Sequence, residues 1–127
     1  MPLGELRGQV LSVVPGQKIT YVTDAVYSAD NAEKIVALAR GADYFFIEAS
    51  FLHEEAERAA MKCHLTAYQA GELARRAGAV RVTPFHFSPK YAGTEERLTR
   101  EMEESFAGNL YPPQTPRNVS GDLVRFS

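Results

Sequence analysis

One cysteine, Cys63, stands alone among 127 residues, so no disulfide can close within the chain. Reducing, cytoplasmic surroundings are the expectation. Long apolar runs are missing too: nothing approaches the roughly 18 residues that a membrane helix needs. Met1 to Arg7 has no apolar core of the kind a secretory signal carries. A charge excess is likewise absent. Fourteen basic and sixteen acidic side chains leave a net charge of −2 with the signs interspersed, so composition writes no broad nucleic-acid surface onto the protein. A local basic patch stays compatible with that balance. Histidine is scarce, with three copies and none spaced as His-x-His. Internal repeats and low-complexity tracts are also missing. What remains, 45% hydrophobic and 24% charged, is the balance of a soluble globular protein, read as one domain over residues 1–127.

Along the chain, Val10 to Val14 is a short apolar stretch that ends at the turn dipeptide Pro15-Gly16. Lys18 to Thr23 is rich in β-branched and aromatic residues and predicts a strand that runs into Asp24. Asp30 with Glu33 predicts a capping box, opening a helix with apolar Ile35, Val36, Leu38 and Ala39 and a stop at Gly41. Tyr44 to Ile47 fits a strand buried on both faces, ending at Glu48. A charged, alanine-rich helix is expected from Glu54 to Lys62. Thr66 and Gln69 form a second capping box, and the helix it opens carries a small-residue face of Ala67, Ala70, Leu73, Ala74 and Ala77 before Gly78. Val80 to Phe85 is another predicted strand, ending at His86. Leu98, Met102 and Phe106 mark an amphipathic helix from Thr94 to Ala107. Residues 109–118, with Pro112, Pro113 and Pro116, predict a surface loop, and Leu123 to Phe126 a short closing strand.

Strands alternating with helices favour parallel pairing with right-handed crossovers. Asp24, Glu48 and His86 each directly follow a predicted strand, so a parallel sheet carries them to its carboxyl edge, where open α/β sheets bind ligands. His64 reaches the same edge by another route, at the start of the helix that returns antiparallel to the strand ending at His86. Two carboxylates and two imidazoles thus converge from four separate stretches. Singly, each has an ordinary explanation: Asp24 as a turn former, Glu48 as an ion-paired side chain, His64 as a loop residue beside a cap, His86 as a core histidine. His53, in the sequence His53-Glu54-Glu55, reads as part of a solvated face, and Cys63 as a packed thiol.

The order Tyr-Val-Thr-Asp24-Ala, Ile-Glu48-Ala-Ser-Phe, His64-Leu-Thr-Ala-Tyr-Gln-Ala-Gly-Glu and Pro-Phe-His86-Phe-Ser-Pro-Lys-Tyr91 resembles the C-terminal half of the ribonuclease Z family. Those are tRNA 3′-processing endonucleases of the metallo-β-lactamase fold. The likeness spans Lys18 to Phe106, with Asp122 to Phe126 as a closing strand. The resemblance implies an α/β fold: half of an αββα sandwich, one small sheet with helices packed on it. It places Asp24 as the bridge between two zinc ions, His86 as a zinc ligand, and Glu48 with His64 as a proton relay to the leaving oxygen. Departures are Ile47, Ser50 and Leu65 where the family's loops carry histidine, threonine and serine, and Lys90 where arginine is usual.

The family's principal zinc cluster, His-x-His-x-Asp-His, is absent from this sequence. Asp24 and His86 offer two ligands, whereas catalytic zinc sites usually hold three from the protein. The expectation is a zinc phosphodiesterase half that is inert alone and is completed by an N-terminal half or a second copy, most simply in a homodimer; a complete enzyme would take tRNA. The alternative is a non-catalytic relic of the superfamily that binds partners through the retained edge.

Overall fold

A computed structural model describes residues 17–109 and the backbone of residues 7–11. Four strands form one sheet in the order β1-β2-β3-β4: β1 Arg7–Leu11, β2 Ile19–Thr23, β3 Tyr44–Glu48 and β4 Val82–Phe85. β2, β3 and β4 are mutually parallel, and β1 lies antiparallel on β2. The parallel pairing expected from strand–helix alternation holds for those three strands, and β1 makes the sheet mixed. Pro84 sits in β4, the edge strand, where a residue without an N–H leaves an outer position of the ladder unused. The stretch beyond Leu11, the Pro15-Gly16 turn, the proline-rich segment beyond Asn109 and the strand expected at Leu123 to Phe126 lie outside the described residues.

Four α-helices complete the order: α1 Ala29–Ala39, α2 Ala56–Met61, α3 Ala67–Ala77 and α4 Glu95–Phe106. α3 begins with the predicted capping box, Thr66 accepting from the Gln69 amide and the Gln69 side chain from the Thr66 amide. It ends on Gly78 in the left-handed conformation, φ 72°, which glycine adopts without a Cβ clash. α1 differs from the reading at its start. Ser28, rather than Asp30, is the cap: its hydroxyl accepts from the Asn31 amide at 3.1 Å, which puts Asp30 in the first turn, where its charge complements the helix dipole. The helix expected over Glu54 to Lys62 is split, with a 3-10 turn at His53–Glu55 before α2. No side chain caps the start of α2, and Glu55 has non-helical φ −114°, ψ 37°.

Alternation along the strands separates two faces. Thr20, Val22, Phe45 and Ile47 are buried on the helix side, where they meet Ile35, Val36, Leu73 and Ala74. Each fully buried Leu, Ile or Phe of this layer contributes about 1.5–3 kcal/mol. α3 packs against α1, β3 and β4, and most extensively against α4. The small residues predicted to approach a sheet thus also admit a second helix, which buries Leu98 and Met102. The opposite face is aromatic and partly exposed. Tyr21 (40% exposed) stacks on Phe46 at 5.5 Å and meets the edge of Phe85 at 5.0 Å, with Tyr44 alongside at 36% exposure. No helix among the described residues is long and apolar enough to cross a membrane.

Candidate active site

Parallel pairing delivers the predicted residues to one edge. Glu48 ends β3 beside Phe85, and His86 follows immediately. Asp24 follows β2, and its amide donates to Glu48 Oε1 at 2.6 Å. The segment before α3 brings His64 in, its Nδ1 lying 2.7 Å from Glu48 Oε2. His86 Nδ1 is 3.9 Å from Glu48 Oε1, and the two imidazole centroids are 5.2 Å apart. Glu48, His64 and His86 therefore meet directly. Asp24 joins them through its backbone.

The backbone is bent at these positions. Among the described residues, the non-glycine residues with positive φ are Asp24 (58°), Cys63 (62°) and His86 (65°). Two are predicted site residues, and the third precedes His64. Left-handed backbone costs an ordinary residue roughly 1–2 kcal/mol, so it persists where surrounding bonds enforce it, and such strain gathers at functional sites. Here the Asp24 amide is held by Glu48, and the His86 carbonyl accepts from Ser50 Oγ at 2.7 Å.

Glu48 is the hub. Its side chain is fully buried, yet no buried side-chain polar atom among the described residues lacks a partner. Oε1 accepts from the Asp24 amide, with Thr23 Oγ1 at 3.4 Å; Oε2 accepts from the Leu65 amide at 2.8 Å and from His64 Nδ1. A carboxylate oxygen accepts, so the proton of the His64 bond sits on Nδ1, and Nε2 faces away from Glu48. Ser50, buried, bridges the two histidine segments: its hydroxyl lies 3.2 Å from Glu48 Oε2 and 3.3 Å from His86 Nδ1, besides its bond to the His86 carbonyl.

Beside this cluster an open cleft of about 460 Å³ is lined by Ser50, His64, His86, Arg58, Lys62 and Lys90. Glu55 pairs with Lys90 and, at 3.3 Å, with Arg58. The Lys90 hydrogen bond holds the Glu55 carboxyl below the usual range. The cleft is the local basic patch that composition left open.

Sequence reasoning missed three features. Ser50 was noted only as a replacement for threonine; its bridge to His86 depends on β4 lying beside β3. His53 is not on a solvated face: its Nδ1 is 2.8 Å from Thr66 Oγ1, its ring lies 4.9 Å from Tyr68, and burial lowers its pKa. Glu101 of α4 accepts from the amides of His53 (2.8 Å) and Tyr68 (3.2 Å), and burial pushes its carboxyl above the usual range.

Comparison with known proteins supplies the context. A metallo-β-lactamase fold protein of Bacillus subtilis, YhfI, superposes with a TM-score of 0.62 over 83% of this chain and 45% of its own, at 18% identity. That identity speaks for the fold alone. This chain folds as one half of a metallo-β-lactamase sandwich.

Human tRNase Z, short form, matches at a TM-score of 0.56 and 26% identity, over 67% of this chain and 32% of that one. In sequence the chain is 40% identical to ribonuclease Z of Thermobifida fusca over 109 residues and 33% identical to that of Natronomonas pharaonis over 110. These alignments cover 85% and 87% of this chain but 33% of each relative. The chain resembles ribonuclease Z, fits its C-terminal half, and spans about a third of the length of those relatives. No protein-family model matches it.

Proposed function

We propose that this chain is the C-terminal part of a zinc-dependent phosphodiesterase, a tRNA 3′-processing endonuclease of the ribonuclease Z kind, which an N-terminal half or a second copy must complete. The observation that carries the reading is the Glu48–His64 pair: a buried carboxylate 2.7 Å from an imidazole, beside His86 on the sheet's carboxyl edge. Glu48 is fixed by two backbone amides, so it orients His64 and presents Nε2 outward. An imidazole held this way, when it carries a proton on Nε2, can pass that proton to a leaving oxygen in the adjoining cleft. Arg58, Lys62 and Lys90 give that cleft the charge to receive a phosphodiester.

In this reading Asp24 and His86 would hold metal. Zinc ions, when bound, supply polarisation of the phosphate. Two donors fit half of a site and fall short of the three that catalytic zinc usually takes from protein. The isolated chain is accordingly inert in this reading, and its missing ligands come from the completing half.

The test is cleavage of precursor tRNA by the zinc-loaded chain, alone and mixed with a polypeptide that carries the His-x-His-x-Asp-His cluster. Cleavage is expected in the mixture, with loss in Glu48→Gln and His64→Ala. An enzyme-like rate from the lone chain would overturn the half-site reading. A stable mixture without activity would favour the alternative, a relic that binds partners through the retained edge.

A further inference from the structure

Glu48, His64 and His86 offer one donor atom each within 4.8 Å of one another. We propose that these three side chains form a seat for a single divalent transition-metal ion within this chain, distinct from the Asp24–His86 half-site. The inference rests on their geometry and does not depend on the hydrolase reading.

Each carboxylate oxygen has about two lone pairs. On Glu48 one per oxygen is taken by a backbone amide, Asp24 on Oε1 and Leu65 on Oε2. The remaining acceptor positions face His64 Nδ1 at 2.7 Å and His86 Nδ1 at 3.9 Å, and are shared with the hydroxyls of Thr23 (3.4 Å) and Ser50 (3.2 Å), which an ion displaces. Bonds of about 2.0 Å to a tetrahedral ion put ligand atoms about 3.3 Å apart. The two measured separations, one to each carboxylate oxygen, lie about 0.6 Å below and above that value, so ring shifts of about that size bring both edges to it. His86, 49% exposed, has room to make its share.

Two imidazoles and one carboxylate are a three-ligand set found in zinc sites with an open position, and also in ferrous ones. Hydrogen-bonded carboxylates are the kind that metals use, because the surrounding donors fix their direction. The set disfavours magnesium and calcium, which require oxygen. Asp24 donates its amide to Glu48 Oε1.

Binding changes the proton positions. As the ion takes Nδ1 of His64, it displaces the proton that this nitrogen donates to Glu48. The Nδ1–H bond from His64 to Glu48 is then gone. An ion in this seat and the Glu48–His64 relay exclude one another.

The experiment titrates the chelator-stripped 127-residue chain with Zn²⁺ by calorimetry and with Co²⁺ by visible absorption. One ion per chain is expected. His64→Ala and His86→Ala should each weaken binding by at least about tenfold, while Asp24→Asn should change it by less than about threefold. Long-range ¹H–¹⁵N spectra should show His64 passing from the Nδ1–H to the Nε2–H form. Undiminished binding in His64→Ala overturns the proposal, as does no binding at about 100 µM Zn²⁺. A loss in Asp24→Asn equal to that in His86→Ala also overturns it, since the ion then sits on the half-site. Circular dichroism checks each variant's fold. If an alanine variant unfolds, His64→Gln, which keeps the volume, replaces it.

Discussion

Replacing Glu48 by Gln removes one oxygen from a buried group that has donors on both sides. Oε1 faces the Asp24 amide, and Oε2 faces the Leu65 amide and His64 Nδ1–H. Whichever way the new carboxamide is turned, its NH₂ meets an N–H. One orientation leaves the Asp24 amide without its acceptor, and the other leaves Leu65 and His64 without theirs. A lost hydrogen bond to a charged group costs about 1.5–3 kcal/mol. Removing one partner of a buried pair costs about 3–5 kcal/mol. The His64 ring is 23% exposed and can turn to water, which puts the expectation at about 2–4 kcal/mol. For a domain of this size that lowers the melting temperature by about 8–16 °C. Urea unfolding followed by circular dichroism measures it at neutral pH, with His64→Ala as a milder companion expected to cost less. A Glu48→Gln protein within about 0.5 kcal/mol of the unsubstituted chain would refute the assignment of Glu48 as a hub holding three donors.

Gly71→Ala should destabilise the α3–α4 crossing, because a Cβ there would stand 2.3 Å from the Met102 carbonyl oxygen, 2.8 Å from Ser105 Cβ and 2.9 Å from the Phe106 amide. Overpacking of about 1–3 kcal/mol outweighs a helix-propensity gain of about 1 kcal/mol, so a lower urea midpoint is expected, and an unchanged or higher one counts against the close approach. Glu101→Gln tests the half-buried carboxyl between α4 and α3. Because the Glu101 pKa is raised above 4.5, the folded state binds more protons than the unfolded state just above that pH. Its contribution is therefore fully present below pH 4.5 and is lost as pH rises through the folded value. Glutamine keeps an oxygen for the His53 and Tyr68 amides, so the variant should gain stability relative to the parent between pH 4.5 and neutrality; an unchanged or reversed difference would contradict burial as the cause.

The elements most legible in the sequence were those whose local chemistry acts alone. Thr66 with Gln69, Gly78, and the 4-residue spacing of Leu98, Met102 and Phe106 need no distant partner to declare themselves, and each has its predicted role. The strand ends at Glu48 and Phe85 were readable for the same reason. Competition between neighbours was harder to read. Ser28 and Asp30 can both cap, and Ser28 does so because its hydroxyl reaches the Asn31 amide. The bridging role of Ser50 depends on β4 lying beside β3, a long-range fact that no local pattern contains. His53 was placed in solvent because Glu54 and Glu55 follow it, whereas Thr66 and Tyr68 cover it. Convergence of Glu48, His64 and His86 could be inferred from topology. The backbone contribution of Asp24 could not, since an amide is invisible in residue identity.

The aromatic side of the sheet and the candidate site have a common geometry. Phe45 and Ile47 are buried towards the helices, so alternation along β3 turns Phe46 and Glu48 the other way, and the register sets Glu48 beside Phe85. Tyr21, Phe46 and Phe85 thus share their side of the sheet with the carboxylate that orients His64. Any partner that covers the aromatic stripe ends next to the cleft, where the missing ligands would have to enter. Apolar strips of this kind drive association. On the proposed reading, covering the face and completing the site would be one event. Tyr21→Lys puts a charge at the centre of the stripe while leaving Glu48, His64 and His86 untouched. It should abolish self-association, or binding of a complementary half, in light scattering at micromolar concentration. Any tRNA cleavage by the reconstituted mixture should fall with it. Association lost with cleavage retained would separate the two, and a monomeric parent chain that binds no complementary half would remove the premise.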